Sequence, residues 1–147
     1  TPEIFRGAGG EQGLSNYITV FGMTKSSSNS FTYEGKININ TADLPTLVAM
    51  LPSGHEDLAQ AIYEYRMETS DSAYIHDLSS PTWYKSVPGV GDIKIDPNLI
   101  TTSSDFFRIE STAKLKEMKI KITAVVKREN NAKTGQWECN VLRWEIE

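Results

Sequence analysis

The sequence predicts an α+β protein, in which an antiparallel sheet is combined with a small inserted helical subdomain. Between residues 37 and 100 the apolar residues recur with a period of about 3.6, as on one face of a helix. From residue 101 onward the period changes to two, which is typical of strands. The composition, 39% hydrophobic and 23% charged over 147 residues, is that of a folded chain with one domain or two small ones. We divide it into residues 1–36, 37–100 and 101–147.

The first segment, residues 1–36, is expected to supply a loop and one strand of the sheet. Several glycines precede an apolar run at residues 17–21, which we interpret as a strand that ends at Gly22. The polar residues 25–30 show no periodicity and predict a flexible loop. This loop would separate the strand from the helical segment.

Two short helices are predicted at the start of the second segment. Thr41 is placed as the N-cap of the first helix, which Pro52 ends. Ser53 and Glu56 have the spacing of a capping box that begins the second helix, which runs to about Glu68. The apolar stripes of the two helices consist of Leu44, Leu47, Val48 and Leu51, and of Leu58, Ala61, Ile62 and Tyr65.

The remainder of the second segment is less periodic. Residues 69–72 are small and polar and break the helical pattern. Residues 74–78 and 82–85 are candidates for further short helices. The sequence Val-Pro-Gly-Val-Gly at residues 87–91 predicts a tight turn, and the residues after it have an extended pattern.

Three antiparallel strands are predicted in the third segment. Residues 106–115 and 118–127 alternate between apolar and polar positions and are joined by a turn at residues 116 and 117. After a loop at residues 130–135, the alternation of residues 137–146 changes face part-way, which predicts a bulge or a strand covered on both sides. Cys139 lies in this strand and is expected to be a small buried apolar residue.

One face of this sheet is apolar and needs a covering layer. A helix of ten residues rises about 15 Å, whereas a strand of ten residues spans about 33 Å, so the two predicted helices are too short to cover it. We expect the cover to come from an element outside this sequence or from a partner. The chain does not begin with Met, and we interpret it as a piece whose targeting segment was removed.

Charge distinguishes the segments. Residues 37–100 carry nine acidic and three basic residues, a balance of −6, and residues 101–147 carry seven acidic and nine basic residues. Similar Asn-Thr-Ala sequences open helix-hairpin-helix modules, and residues 51–55 and 87–91 are candidate phosphate-binding hairpins. An acidic surface repels nucleic acid, so a simple junction between strand and helix at residues 37–42 is the preferred interpretation.

No catalytic, cofactor-binding or metal-binding residue is assigned. His55 and His76 are the only histidines, and neither lies in a nucleophile, phosphate-loop or zinc-protease motif. Several acidic residues fall in loops and could hold a hard cation through oxygen, but their spacing is not that of an EF-hand, and solvated charge is preferred. They are Glu68, Asp71, Asp77, Asp92 and Asp96.

Five stretches of sequence, taken in order, resemble one known family. Residues 1–7 (TPEIFRG) and 13–22 (GLSNYITVFG) come first, and residues 36–42 (KININTA) follow. Residues 104–110 (SDFFRIE) and the closing hairpin to residues 141–144 (VLRW) come last. Together they are similar to the general secretion pathway protein K family, the large minor pseudopilin of type II secretion systems. The polar first hairpin and the acidic stretch around Asp92 depart from the family's pattern.

The resemblance implies a pilin-like sheet interrupted by a helical insertion of the helix-hairpin-helix or SAM-like kind. It also implies an apolar helix ahead of this sequence, which anchors the periplasmic part in the bacterial inner membrane and covers the sheet. The implied partners are the I-type and J-type minor pseudopilins at the pseudopilus tip, and possible secreted cargo, with no nucleic acid. Calcium is bound by some relatives, but no ligands could be placed here. A minor pilin of a related type IV filament and a nucleic-acid-binding module are the alternatives.

Overall fold

The chain forms an α+β structure with two compact units, Thr1–Ser103 and Ser104–Glu147. This computed structural model describes residues 2–9, 13–27, 29–33 and 35–147. The mixture of helices and mainly antiparallel strands confirms the predicted α+β class. Whether residues 1–36 belong with the C-terminal strands, as the sequence suggested, stays a prediction.

The N-terminal part of the first unit contains a short helix and a hairpin. Helix α1 (Pro2–Arg6) precedes a 3₁₀ turn at Leu14–Asn16. Strands β1 (Met23–Ser27) and β2 (Ser30–Tyr33) then pair antiparallel, with Met23 opposite Tyr33.

This hairpin corrects two predictions for the first segment. Residues 17–21 are not a strand, because the hydroxyl of Thr19 accepts a hydrogen bond from the N–H of Phe21 and closes a local turn. Residues 25–27 belong to β1 and Ser30 to β2, while Asn29 lies in the turn and residue 28 lies outside the described residues. Cross-strand pairing therefore outweighs the weak strand propensity of serine and lysine there.

A parallel pair of short strands closes the helical part of the first unit. Strand β3 (Ile37–Asn38) lies beside β6 (Ile100–Thr101), so the two ends of the predicted helical segment meet. Between them lies one apolar core, with Ile39, Leu47, Ala59, Ile62 and Val90 almost completely buried.

Helix α2 (Leu44–Met50) begins two residues later than expected. Its N-cap is Asp43, whose carboxylate accepts a hydrogen bond from the N–H of Thr46 at 3.1 Å. The prediction of Thr41 is wrong because the Thr41 hydroxyl is directed back to the carbonyl of Asn38, 3.5 Å away. The helix ends before Pro52, as predicted.

Helix α3 (Leu58–Met67) starts after the predicted capping box and ends at the expected position, Glu68. Its N-cap is Asp57, so Ser53 and Glu56 do not form the reciprocal box. The Glu56 carboxylate instead accepts from the N–H of Gly54 within the preceding turn. Three residues of α3 are buried: Ala59, Ile62 and Arg66.

A small hairpin follows α3 in place of the helix predicted at residues 74–78. Strands β4 (Thr69–Ser70) and β5 (Ala73–Tyr74) pair across Asp71 and Ser72, which both have positive φ, of 51° and 66°. Two consecutive residues of this kind form the turn that matches the twist of a hairpin. Further along, the 3₁₀ helix at Trp83–Ser86 and the turn at residues 87–91 agree with the predictions.

The second unit is a three-stranded antiparallel sheet of order β7 (Phe106–Leu115), β8 (Met118–Asn130) and β9 (Trp137–Ile146). Leu142 has no partner in the register between β8 and β9, which confirms the predicted bulge in the last strand. Cys139 lies in β9 as expected but is exposed, so the prediction of burial is wrong. The residue stands on an edge strand with few neighbours.

The side chain of Asn40 joins three distant segments of the first unit. Its amide nitrogen donates to the carbonyls of Leu78 at 3.0 Å and Thr102 at 3.4 Å, and its oxygen accepts from the indole N–H of Trp83 at 2.7 Å. One residue earlier, the carbonyl of Ile39 accepts from the guanidinium of buried Arg66 at 2.8 Å. The motif at residues 37–42 is therefore the structural centre of the helical part.

Replacing Asn40 should destabilise the first unit strongly. Asn40→Ala leaves the indole N–H of Trp83 and two carbonyls without partners, so we expect a loss of about 3 kcal/mol in the free energy of unfolding. Urea unfolding followed by the fluorescence of Trp83, in a background with Trp137→Phe and Trp144→Phe, measures the loss. Asn98→Ala, at an exposed turn, is the matched control. Equal stabilities for the two variants would contradict the role of Asn40.

Candidate interaction surface

The C-terminal sheet presents one continuous apolar face. Residues that are directly opposite in neighbouring strands share a face of the sheet. The register brings the apolar positions together in pairs: Phe107 with Val126, Ile109 with Ala124, Ala113 with Ile120, Leu115 with Met118, Ala124 with Trp144, Val126 with Val141 and Ile122 with Ile146. We call this set the apolar face, and it agrees with the face predicted from the alternation.

Most of the apolar face is open to solvent. Ile109 is 52% exposed, Trp144 57% and Ile146 66%, whereas Ala124 and Val126 at the centre are buried. Three strands about 4.8 Å apart and about ten residues long give a face of roughly 450 Å². Apolar patches of this size on a monomer are commonly functional. The apolar face is therefore the strongest candidate for an interaction surface.

One end of the apolar face carries a charge. Arg128 lies opposite Cys139, and the alternation along β8 places it on the same face as Val126. Its guanidinium lies 4.8 Å from the centre of the Trp137 ring and 5.9 Å from that of Phe107. Sequence reasoning missed this residue, although continuing the period-two pattern of Met118, Ala124 and Val126 by one further step would have found it. The apolar face thus has an aliphatic end and an aromatic, cationic end.

The opposite face of the sheet, which we call the wet face, is exposed to solvent and charged. Glu110 lies 3.2 Å from the ammonium of Lys121 and 3.5 Å from the guanidinium of Arg108. Lys127 pairs with Glu129 at 2.6 Å, and this hydrogen bond, with a second from Asn140, lowers the pKa of Glu129. Exposed pairs of this kind contribute little to stability, so this face mainly keeps the sheet soluble.

In the helical part, His76 contacts Glu68 and Tyr65. The ring of His76 stacks on that of Tyr65 with centroids 3.5 Å apart, and Tyr65 stacks in turn on Trp83. His76 Nε2 lies 2.7 Å from Oε2 of Glu68. The arrangement ties the segment after β5 to helix α3. His55, in contrast, is exposed in the turn before α3.

Two of the loop acids named in the sequence analysis accept hydrogen bonds in local turns. The carboxylate of Asp77 accepts from the N–H of Ser79, and that of Asp96 accepts from the N–H of Asn98, both at 2.9 Å. The hydrogen bonds from Ser79 lower the pKa of Asp77. Within residues 2–9, 13–27, 29–33 and 35–147, no three His, Cys, Asp or Glu side chains are grouped so that they could hold a metal ion.

The first hairpin candidate, residues 51–55, has its glycine donor occupied. The N–H of Gly54 donates to Oε2 of Glu56 at 2.8 Å, so a carboxylate stands where a phosphate would have to bind. Hydrogen bonds from the backbone N–H groups of Glu56 and Gly54 lower the pKa of Glu56. In the second candidate, residues 87–91, Val87 and Val90 are buried in the core. The first hairpin therefore offers no favourable phosphate site, whereas the buried valines of the second are its apolar anchors.

Comparisons of the chain with protein-family models, with curated proteins and with solved structures found no match. Among the described helices, none is long and apolar enough to cross a membrane. The chemistry of the apolar face and the resemblance in sequence are what bear on function.

The apolar face should bind a hydrophobic dye. Replacing Ile109 and Ile120 by Gln removes apolar surface, and we expect anilinonaphthalene sulfonate fluorescence to fall about twofold. Because both side chains are half exposed, the free energy of unfolding should change by less than about 1 kcal/mol. Thr112→Gln and Thr123→Gln, on the wet face, are the matched controls and should leave dye binding unchanged. Similar dye binding by both pairs of variants would contradict the assignment.

Acid should remove the contribution of Glu56 to stability. Because backbone donors lower its pKa below the ordinary 4.5, the folded chain holds the proton less tightly than the unfolded chain. The contribution is complete above about pH 5 and is lost as the pH falls through the lowered pKa. An NMR titration should give a midpoint below 4.5 for Glu56. Glu56→Gln should lose less unfolding free energy on acidification than the parent chain, and equal losses would argue against this interaction.

Proposed function

We propose that this chain is the periplasmic C-terminal part of a minor pseudopilin, a structural protein at the tip of the type II secretion pseudopilus that assists protein export across the outer membrane. The observation that carries the proposal is the exposed apolar face of the C-terminal sheet. In the pseudopilin family that the sequence resembles, such a sheet packs on an N-terminal apolar helix. We infer a role in assembly and assign no catalytic residue.

The dimensions of the apolar face suit a single helix. A face about 33 Å long matches a helix of about 22 residues, and a width of about 14 Å matches one helix with its side chains. The longest described helix, Leu58–Met67, has 10 residues and rises only about 15 Å. We therefore propose that an apolar helix preceding Thr1 in the full-length polypeptide covers the apolar face. This is the pilin-like arrangement, with the helical part as its insertion.

The charge and the hairpin geometry disfavour the nucleic-acid alternative. Residues 37–100 have a balance of −6, and a duplex is bound mainly by cations that displace its counterions. The N–H of Gly54 is already bound to Glu56. A minor pilin of a related type IV filament would present the same apolar face and differ only in its neighbours. Its partners would distinguish it from a type II component.

The first test is the N-terminal sequence of the mature native protein and of the gene ahead of Thr1. We expect a short basic leader and about 20 apolar residues ahead of Thr1. A native chain that begins near Thr1, or that continues into a basic soluble domain, would overturn the proposal.

The second test is complex formation with the I-type and J-type minor pseudopilins from the same bacterium. We expect the purified periplasmic parts to elute together in size-exclusion chromatography with light scattering, with an affinity of about 10 µM or tighter. A labelled DNA duplex should show no change in anisotropy at physiological salt. Duplex binding with a steep dependence on salt, and no complex with pseudopilins, would favour the nucleic-acid alternative.

A further inference from the structure

Arg128 is the only charged side chain that the strand alternation of β8 places on the apolar face. Val126 precedes it and Asn130 follows it on the same side of the strand. Its backbone N–H is bound to the carbonyl of Asp105, which holds the residue at the end of β7. The sheet therefore fixes the position of Arg128. The apolar side chains next to Arg128 offer no polar contact to a covering helix.

The guanidinium of Arg128 is flanked by rings and is poorly supplied with acceptors. Nε is buried without a hydrogen-bond partner in the part of the chain that the structure describes. The nearest carboxylate oxygen, Oδ1 of Asp105, lies 3.8 Å from Nη2, beyond hydrogen-bond distance. An arginine has five N–H donors in a planar fork that fits a carboxylate with two parallel hydrogen bonds.

Covering the apolar face would make this shortage more costly. The Arg128 side chain is 39% exposed, so water reaches the guanidinium, although not the buried Nε. A helix laid across the face removes that water, and a buried charge without an acceptor is strongly destabilising. Asp105 offers only an ion-pair contact at 3.8 Å, so a closer acceptor on the covering helix would stabilise the guanidinium at this end of the face.

We propose that the helix covering the apolar face carries a carboxylate side chain that binds Arg128, and that this contact sets the direction of the helix on the sheet. The inference rests on the proposed function, because it concerns the same helix ahead of Thr1. Aliphatic residues such as Ile120 and Ile146 accept a helix in either direction. Arg128 stands at one end only, so its partner distinguishes the two directions. The Trp137 ring, 63% exposed, can shift to open the guanidinium edge.

Synthetic helices of about 22 residues, with a Leu-rich stripe and a neutral polar face, test the inference on the full 147-residue chain. Three peptides differ at two positions: Glu in the first turn, Glu in the last turn, or Gln at both. Tryptophan fluorescence gives their affinities. A spin label on the peptide N-terminus reports direction through the NMR signals that it broadens.

Each Glu peptide should bind about tenfold more tightly than the Gln peptide. The label should broaden residues near Arg128 when Glu is in the first turn and residues near Lys116 when Glu is in the last turn. Arg128→Gln should abolish both the affinity difference and the reversal, and Arg128→Lys should keep only part of the affinity difference because it lacks the fork. Arg108→Gln, on the wet face, is the matched control and should change neither.

The outcomes distinguish a failure of this inference from a failure of the proposed function. If the Gln peptide binds as tightly as the Glu peptides, the inferred contact between Arg128 and a carboxylate is wrong. The same holds if the preference for Glu persists in Arg128→Gln. In both cases the proposal that a helix covers the apolar face still stands. If none of the three peptides binds, the proposed helix cover fails as well. Thermal unfolding of each variant establishes that it is folded, and Arg128→Lys serves as the test should Arg128→Gln not fold.

Discussion

The helical part of this protein depends on the side-chain amide of Asn40. A planar amide that donates twice and accepts once holds the carbonyls of Leu78 and Thr102 and the indole of Trp83 around a single point. These groups come from segments far apart in sequence. The buried guanidinium of Arg66 adds a parallel contact to the carbonyl of Ile39, and burial lowers the pKa of Arg66. Polar contacts thus close a core that short helices alone would leave open.

The C-terminal sheet follows a different principle. Its backbone groups are paired between the strands, but only Ala124 and Val126 of its apolar residues are buried. A three-stranded sheet with one uncovered face pairs the backbone groups between its strands but leaves its hydrophobic surface exposed. The first unit contains a closed apolar core, whereas the sheet of the second unit leaves most of its apolar residues exposed. This difference is why the function is sought on the sheet and not in the helical part.

Features that follow from long periodic patterns in the sequence were predicted well. The strands of the C-terminal sheet follow from alternation over ten or more residues, and the bulge at Leu142 follows from its change of phase. The apolar face, which is the candidate site, came from the same pattern. Local features without a strong periodic signal were missed: the β1–β2 hairpin, the hairpin at Asp71 and Ser72, and the N-cap at Asp43. Arg128 was missed because the predicted apolar face was followed only as far as Val126.

The sequence by itself determined the fold class, the change from helical to strand periodicity and the identity of the apolar face. These properties are local, since a period of two or 3.6 is fixed by backbone geometry. Only the tertiary structure decided what residues 37–42 do and which rings flank Arg128. The amide of Asn40 meets carbonyls up to 62 residues away, and the guanidinium of Arg128 is flanked by rings from two other strands. Such contacts require the chain to bring distant segments together, and no local pattern encodes which segments those are.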